Sequence, residues 1–408
     1  MKVLICLIGI VAAVIAVDND VAVEKVLKEG NDIFTSRLFP EVVKQHPKES
    51  VVLSAFSVLT PLALLSQASV GASHDELLKA IGVPNDNVTK EVFSYLKTNL
   101  RSVKGIELRM ANKVYIPLQF ALNDDFAAVS RNVFDSEVQN VDFTKSQATA
   151  KSINAWVESQ TNNRIKDLVS PDSLNSDTRA VLVNALYFKG TWKEKFNKMF
   201  TSDQDFHVTK EKTVKVPMMY KQDTFLYGQS DELDAKLLEL PYEGDEASFL
   251  IVLPNAVDGL SALEEKLKDP SLLEKAVKNM INQEVEVHLP KFKIETKTDL
   301  KTALRNIDVK KIFTSEARLD NLLKDVKESL YVSEAIQKAF IEVNEEGAEA
   351  AAANEFVIKG KSPFIPPSIN IDRSFLFRRY IRVFLIFIYC TAIKLPVSKM
   401  ISLYFSIS

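Results

Sequence analysis

The chain has 408 residues, of which 46% are hydrophobic and 26% charged, as in an ordinary globular protein. Its formal net charge of −3 gives no reason to expect a nucleic acid or an anionic membrane as a partner. The glycines form no G-x-G pair, G-x-S-x-G elbow or P-loop, and the histidines (His46, His74, His207 and His288) lack metal-binding spacing. We therefore predict neither a cofactor nor a metal site.

The N-terminus carries a targeting signal. Lys2 is followed by an apolar run from Val3 to about Val17, and small residues allow cleavage after Ala16. A run of about fifteen apolar residues is short for a membrane span. We therefore predict a signal peptide at residues 1–16 and a secreted, extracellular mature chain with no membrane partner.

Two further features are compatible with secretion. Asn87 begins an N-x-T sequon, which predicts a glycoprotein. Cys6 leaves with the signal peptide, so Cys390 has no cysteine left with which to form an intramolecular disulfide. Stability must then come from a large core, and the fold can rearrange without breaking covalent bonds.

The first half of the chain predicts mainly helices. Apolar residues recur at helical spacing over 20–45, and a short apolar strand with two helices follows between residues 49 and 82. Residues 144–169 predict an amphipathic helix. Its apolar residues share one side: Ile153, Trp156 and Val157.

From about residue 178 the pattern changes to strands. "TRAVLVNALYFKGTW" is rich in β-branched and aromatic residues, "KLLELPYEGDEASFLIVLP" predicts two strands joined by a Gly-Asp turn, and "EVEVHLPKFKIET" alternates. Helices are predicted again at "DLKTALRNI" and "LLKDV". Because no linker or repeat divides the chain, we expect one α+β domain with large antiparallel sheets.

The stretch "EVNEEGAEAAAANEF", residues 342–356, allows two interpretations. Its alanines and glutamates have high helix propensity. From Ala348 onward, however, a period of two places uncharged side chains on one face and every charge on the other, which is typical of a half-buried strand. The face without charges begins with Ala348, Ala350 and Ala352.

Several stretches in order resemble the serpin family, and especially secreted insect antitrypsin-type members. They are "INAWVESQTNNRIKDLV", "LVNALYFKGTWKEKF", "LPYEGDEASFLIVLP", "LPKFKIETKTDLK", "AIQKAFIEVNEEGAEAAAA" and "DRSFLF". The resemblance implies a serpin domain over 17–377, with about nine helices around three β-sheets and an exposed reactive loop at about 347–371.

The resemblance also implies a function. A serpin of this kind is not an enzyme but a suicide-substrate inhibitor: a serine protease cleaves the loop and is trapped as an acyl-enzyme while the loop inserts into sheet A. The family's hinge register places the cut at Lys361–Ser362, which predicts a trypsin-like target. Lys359 is the second candidate, followed by Phe364. The hinge consists of Glu345, Glu346, Gly347, Ala348, Glu349, Ala350, Ala351, Ala352 and Ala353.

Other family positions are expected to control sheet opening rather than chemistry. The shutter residues are Ser54, Ser57, Asn184 and Gln337, the last at a place where the family often has histidine. The breach residues are Trp192, Lys291 and Glu345, of which the last two match an ion pair. A glycosaminoglycan could bind four cations, which are spread along the sequence and also fit solvated helix faces: Lys90, Lys97, Arg101 and Lys104.

The C-terminal segment 378–408 departs from the family, which continues after "DRSFLF" through two buried strands. Here Arg378 and Arg379 stand where a strand pattern expects apolar residues. The segment either forms core strands in a new register or leaves an apolar stretch exposed. This departure leaves two alternatives to a monomeric inhibitor: a non-inhibitory serpin (carrier, storage protein or chaperone) and an inactive isoform.

Overall fold

The computed structural model of the chain describes residues 2–47, 49–100, 105–325, 330–347, 366–381 and 386–393. For residues 2–19, 100, 380–381 and 386–393 it describes the backbone alone. No helix in these ranges combines the length and apolarity that a membrane crossing requires.

Within these ranges the structure contains the helices predicted over 20–45, 49–82, 144–169 and 299–307, together with four that the sequence did not predict, at Asp86–Leu100, Asp124–Phe134, Leu260–Lys266 and Pro270–Lys278. The nine α-helices are α1 Lys2–Gln45, α2 Ala55–Ala68, α3 Ala72–Ile81, α4 Asp86–Leu100, α5 Asp124–Phe134, α6 Ser146–Gln160, α7 Leu260–Lys266, α8 Pro270–Lys278 and α9 Leu300–Asn306. Short 3-10 helices lie at Pro171–Ser173, Lys198–Phe200, Lys311–Phe313 and Asp320–Leu322.

Two helix predictions need correction. The helix predicted over 144–169 ends at Gln160, because Asn162 and Asn163 adopt φ values of 50° and 58° that an α-helix cannot contain. The "LLKDV" helix is wrong. Leu323 instead forms a β-bridge with Leu122, and its neighbours exchange backbone hydrogen bonds with the same loop.

The described strands form two sheets. Their bounds are β1 Val51–Leu53, β2 Ile106–Pro117, β3 Glu137–Val141, β4 Ala180–Gly190, β5 Ser202–His207, β6 Thr213–Ser230, β7 Ala235–Pro241, β8 Ala247–Pro254, β9 Ile281–Pro290, β10 Phe292–Asp299, β11 Val332–Val343, β12 Ser368–Asn370, β13 Phe375–Ile381 and β14 Ile386–Ile393.

The smaller sheet has the order β10-β11-β4-β2-β3. The larger has the order β1-β14-β13-β8-β7-β6-β9-β12, with β5 paired to β6. Two of the three expected sheets are thus one hydrogen-bonded network, because the long strand β6 pairs with β5 and β9 toward one end and with β7 at the other.

The core is divided by the smaller sheet. The main core cluster lies between this sheet, the larger sheet and the surrounding helices. A second cluster lies on the other face, where Ile153 and Val157 of α6 pack with β-strand side chains such as Val183 and Ile336. Helix α6 therefore covers the outer face of β4 and β11.

The divergent C-terminal segment contributes strands to the larger sheet. β13 pairs with β8 on one side and β14 on the other, and β14 also pairs with β1. The boundary expected at residue 377 is therefore not a break in structure, because β13 continues to Ile381. Arg378 and Arg379 are both buried despite their charge.

Candidate functional site

The central pairing of the smaller sheet is parallel. β11 and β4 lie side by side, with Ala335 opposite Leu182 and Phe340 opposite Tyr187. The chain reverses directly after β11, where Asn344 and Gly347 form a β-bridge. A segment that returned along β11 after this reversal would run antiparallel to β11 and hence to β4. The topology thus provides a place for one more strand between them.

The predicted shutter residues form one hydrogen-bonded network beneath this pairing. The Gln337 amide nitrogen donates to the Ser54 carbonyl (2.9 Å), Ser57 Oγ (3.1 Å) and Asn184 Oδ1 (2.6 Å). Its amide oxygen accepts from the Ser54 backbone N–H (3.1 Å). All four residues are buried. Glutamine can serve here because its amide both donates and accepts.

The network also ties α2 to the sheet. Ser54 caps the N-terminus of α2, and its Oγ accepts from the Ser57 backbone N–H (3.2 Å). Ser57 Oγ donates to Asn184 Oδ1 (2.9 Å), and Asn184 Nδ2 donates to the Ser57 carbonyl (2.9 Å). Separation of β4 from β11 would therefore break buried hydrogen bonds on both strands.

Two members of this row were not predicted from the sequence. Asn112 of β2 lies opposite Asn184 and accepts from its Nδ2 (2.5 Å), while Thr298 of β10 lies opposite Gln337. A buried polar row thus crosses four strands. Asn112 follows charged and apolar residues in mixed order, so the sequence around it gave no sign of a buried amide.

The breach residues meet at the end of β11. Lys291 Nζ lies 3.0 and 2.9 Å from the two carboxylate oxygens of Glu345, and Thr201 Oγ1 donates to the same carboxylate (2.8 Å). Burial raises the pKa of Glu345, but hydrogen bonds from Lys291, the backbone and Thr201 outweigh burial and leave the pKa below its ordinary value. Glu345 is therefore charged at neutral pH.

Trp192 holds the reversal that follows β11. Its indole N–H donates to the Asn344 carbonyl (2.9 Å), its backbone N–H donates to the Glu346 carbonyl (3.1 Å), and its ring stacks on Tyr242 with centroids 4.8 Å apart. Gly347 has a φ of 104°, and a Cβ there would overlap the Trp192 backbone. Only glycine therefore fits this turn without strain.

Two lysines tie neighbouring segments to the same region. Lys198 pairs with Glu346 of the hinge (2.8 Å). Lys338 of β11 donates to the carbonyl of Lys166 (2.6 Å), in the segment that follows α6, and pairs with Glu295 (2.7 Å). The hydrogen bond from Lys338 to the Lys166 carbonyl links β11 to the segment that follows α6, and the sequence did not predict it.

Several predicted residues fall outside the described ranges. They are hinge residues Ala348, Glu349, Ala350, Ala351, Ala352 and Ala353, the cut-site candidates Lys361, Ser362, Lys359 and Phe364, and two of the spread cations, Arg101 and Lys104. Asn87 is exposed in the first turn of α4. Lys97 donates to the carbonyls of Arg131 and Asn132 and so already has a role in the fold.

Comparisons with known proteins agree with this architecture. A family model described as Serpin (serine protease inhibitor) matches residues 29–381. Antitrypsin of Bombyx mori is 56% identical, covering 92% of this chain and 96% of the relative. Antichymotrypsin-2 of Bombyx mori is 60% identical, covering 82% and 88%. The crystal structure of Serpin48 from Tenebrio molitor aligns with a TM-score of 0.83 at 35% identity, covering 90% and 97%.

We predict that Gln337→Leu destabilises the fold by about 3 kcal/mol, because it leaves several buried polar groups unpaired at about 1–3 kcal/mol each. Gln337→His, which keeps a donor and an acceptor, is the matched control and should cost less. The measurement is the free energy of unfolding from urea titration of each variant. A leucine variant as stable as the wild type would contradict the network's role.

The Glu345–Lys291 pair predicts a pH dependence. Because the folded pKa of Glu345 lies below the ordinary value of 4.5, the carboxylate adds stability above about pH 4.5, and this is lost as the pH falls through the folded pKa. Urea midpoints of wild type and Glu345→Gln should differ at pH 7 and converge toward pH 3. Lys291→Met should show the same convergence. A difference independent of pH would count against the pair.

Proposed function

The chain belongs to the serpin family, and from that premise we propose that it is a secreted suicide-substrate inhibitor of a trypsin-like serine protease. The protease cleaves Lys361–Ser362 and forms an acyl-enzyme with Lys361. The released loop then inserts between β11 and β4 before the acyl bond is hydrolysed. The N-terminal signal at 1–16 supports secretion, and the exposed position of Asn87 supports glycosylation.

The observation that carries the proposal is the parallel β11–β4 pairing followed by a chain reversal at Gly347. Insertion exchanges one parallel ladder for two antiparallel ladders, which are slightly more stable per residue. About twelve further backbone pairings at about 1 kcal/mol each would supply on the order of 10 kcal/mol. This gain is comparable with the stability of a whole domain. It can therefore drive the trapping step.

The side-chain pattern of the hinge suits that position. On β11, Ala335 and Ala339 face the main core, whereas Ile336 and Phe340 face α6. An inserted strand would likewise have one face against the main core, which is where its small side chains belong. The alternation beginning at Ala348 supplies them, and the charged residues take the opposite face.

The proposed class of target protease is inferred from the residue at the cleavage site and not from overall sequence identity to the relatives. The two Bombyx mori relatives carry names that point to trypsin and to chymotrypsin, yet their identities to this chain are similar, 56% and 60%. A lysine side chain pairs with a protease pocket that contains a carboxylate. Lys361 therefore favours a trypsin-like partner.

We expect that the purified protein, incubated with trypsin and denatured, gives a covalent complex and a C-terminal fragment that begins at Ser362. Lys361→Ala should lower the rate of trypsin inhibition by at least about a hundredfold, since it removes the charge that the pocket binds. Lys359→Ala is the matched control and should inhibit normally. The reverse result would move the cut to Lys359, and full cleavage without a complex would favour a non-inhibitory serpin or an inactive isoform.

Loop insertion is tested by placing a positive charge on one face of the hinge segment or on the other. Ala348→Arg should convert the inhibitor into a substrate, because an unpaired charge buried by insertion costs several kcal/mol. Glu349→Arg changes the neighbouring residue, which the period of two assigns to the opposite face of an inserted strand, and should still trap trypsin. The number of inhibitor molecules consumed per trypsin molecule measures both variants. A normal value for Ala348→Arg would contradict the packing requirement.

A further inference from the structure

The buried arginine Arg379 lies beneath the breach, at a place where the sequence pattern expects an apolar side chain. It is 1% exposed and sits on β13. Residues two and four before it on the strand, Phe377 and Phe375, share its face and pack on Phe292. An arginine guanidinium is a cation with five N–H donors. The positive charge of Arg379 therefore lies among aromatic side chains on the inner face of the larger sheet.

The guanidinium contacts two aromatic rings, one on β4 of the smaller sheet and one directly after β7 of the larger sheet. Its Cζ lies 4.0 Å from the ring centroid of Phe188 and 5.9 Å from that of Tyr242. The two rings are themselves 5.5 Å apart. Such a geometry is a cation–π contact, and it is strengthened because the site is desolvated.

One ring belongs to β4, and the other contacts the turn after β11 through Trp192. Phe188 follows Tyr187, the last residue of β4 that pairs with β11. Tyr242 stacks on Trp192, which in turn binds the backbone of the reversal after β11. Arg379 thus contacts β4 directly through Phe188. It reaches the turn after β11 indirectly, through the stacked rings of Tyr242 and Trp192.

We propose that Arg379 is a positioning residue that holds the breach end of β4 closed and slows the separation of β4 from β11. The inference rests on the proposed loop insertion. Opening would move Phe188 away from β13 and break the cation–π contact, so the contact favours the closed sheet. The residue tunes the rate of insertion without touching the protease or the cut bond.

The test is the rate at which the purified protein takes up a fluorescein-labelled peptide with the sequence of residues 347–361, followed on non-denaturing gels. Arg379→Met fills similar space with an apolar, flexible side chain. It should take up the peptide about tenfold faster, the factor expected from loss of one desolvated cation–π contact. Arg379→Lys keeps a cation and should lie between the variant and the wild type.

A matched control separates this role from general loss of stability. Arg378→Met removes the neighbouring buried charge on the other face of β13, where Arg378 lines a cleft with Thr35 and Phe39 of α1. It should lower the urea midpoint without accelerating uptake. If Arg379→Met fails to fold, Phe188→Leu removes the other partner of the contact and should accelerate uptake by a similar factor.

The outcomes distinguish this inference from the proposed function. Uptake by Arg379→Met within twofold of the wild type, or equal acceleration by Arg378→Met, would overturn the role of Arg379 and leave insertion intact. If Arg379→Met does not fold, unchanged peptide uptake by Phe188→Leu would likewise overturn the role of Arg379. If neither the wild type nor any variant takes up the peptide, the insertion mechanism itself fails, and the role of Arg379 fails with it.

Discussion

The direct pairing of β11 with β4 is the constraint on which the other features of the molecule depend. Both strands run the same way, so the sheet contains a parallel ladder that is slightly weaker than the antiparallel alternative. The chain leaves β11 at a glycine turn, where Asn344 and Gly347 form a β-bridge. Under the proposed mechanism, a stronger antiparallel pairing forms only after the parallel one is broken.

The polar contacts under and around this ladder determine how difficult that step is. The shutter network contributes hydrogen bonds from both strands to α2, and the Lys291–Glu345 pair holds the end of β11. Because these groups are satisfied in the closed sheet, each must lose its partner before new pairings form. In the proposed insertion, the driving force would come from the hinge segment, whereas the barrier would come from these buried contacts.

The C-terminal segment shows how two charged residues are accommodated within a buried strand. Arg378 and Arg379 interrupt the apolar alternation, yet β13 keeps its register between β8 and β14. Arg379 is accommodated because its flat guanidinium lies over an aromatic ring, an arrangement that a lysine ammonium would match less well. Arg379 thus places a positive charge near the end of β4 without changing the strand order.

The sequence by itself determined the class of the fold and about half of its helices and strands, because periodicities are local. The family resemblance named the residues that the structure joins in the polar network and in the ion pair after β11. The alternation of the sequence near Ala348 also defined which face of the hinge carries charge. Only the tertiary structure decided that Asn112 and Thr298 extend the polar row and that Arg379 lies beneath Phe188. A strand's period specifies which side chains share a face but not which strand lies beside it, since neighbours in a sheet come from distant parts of the chain.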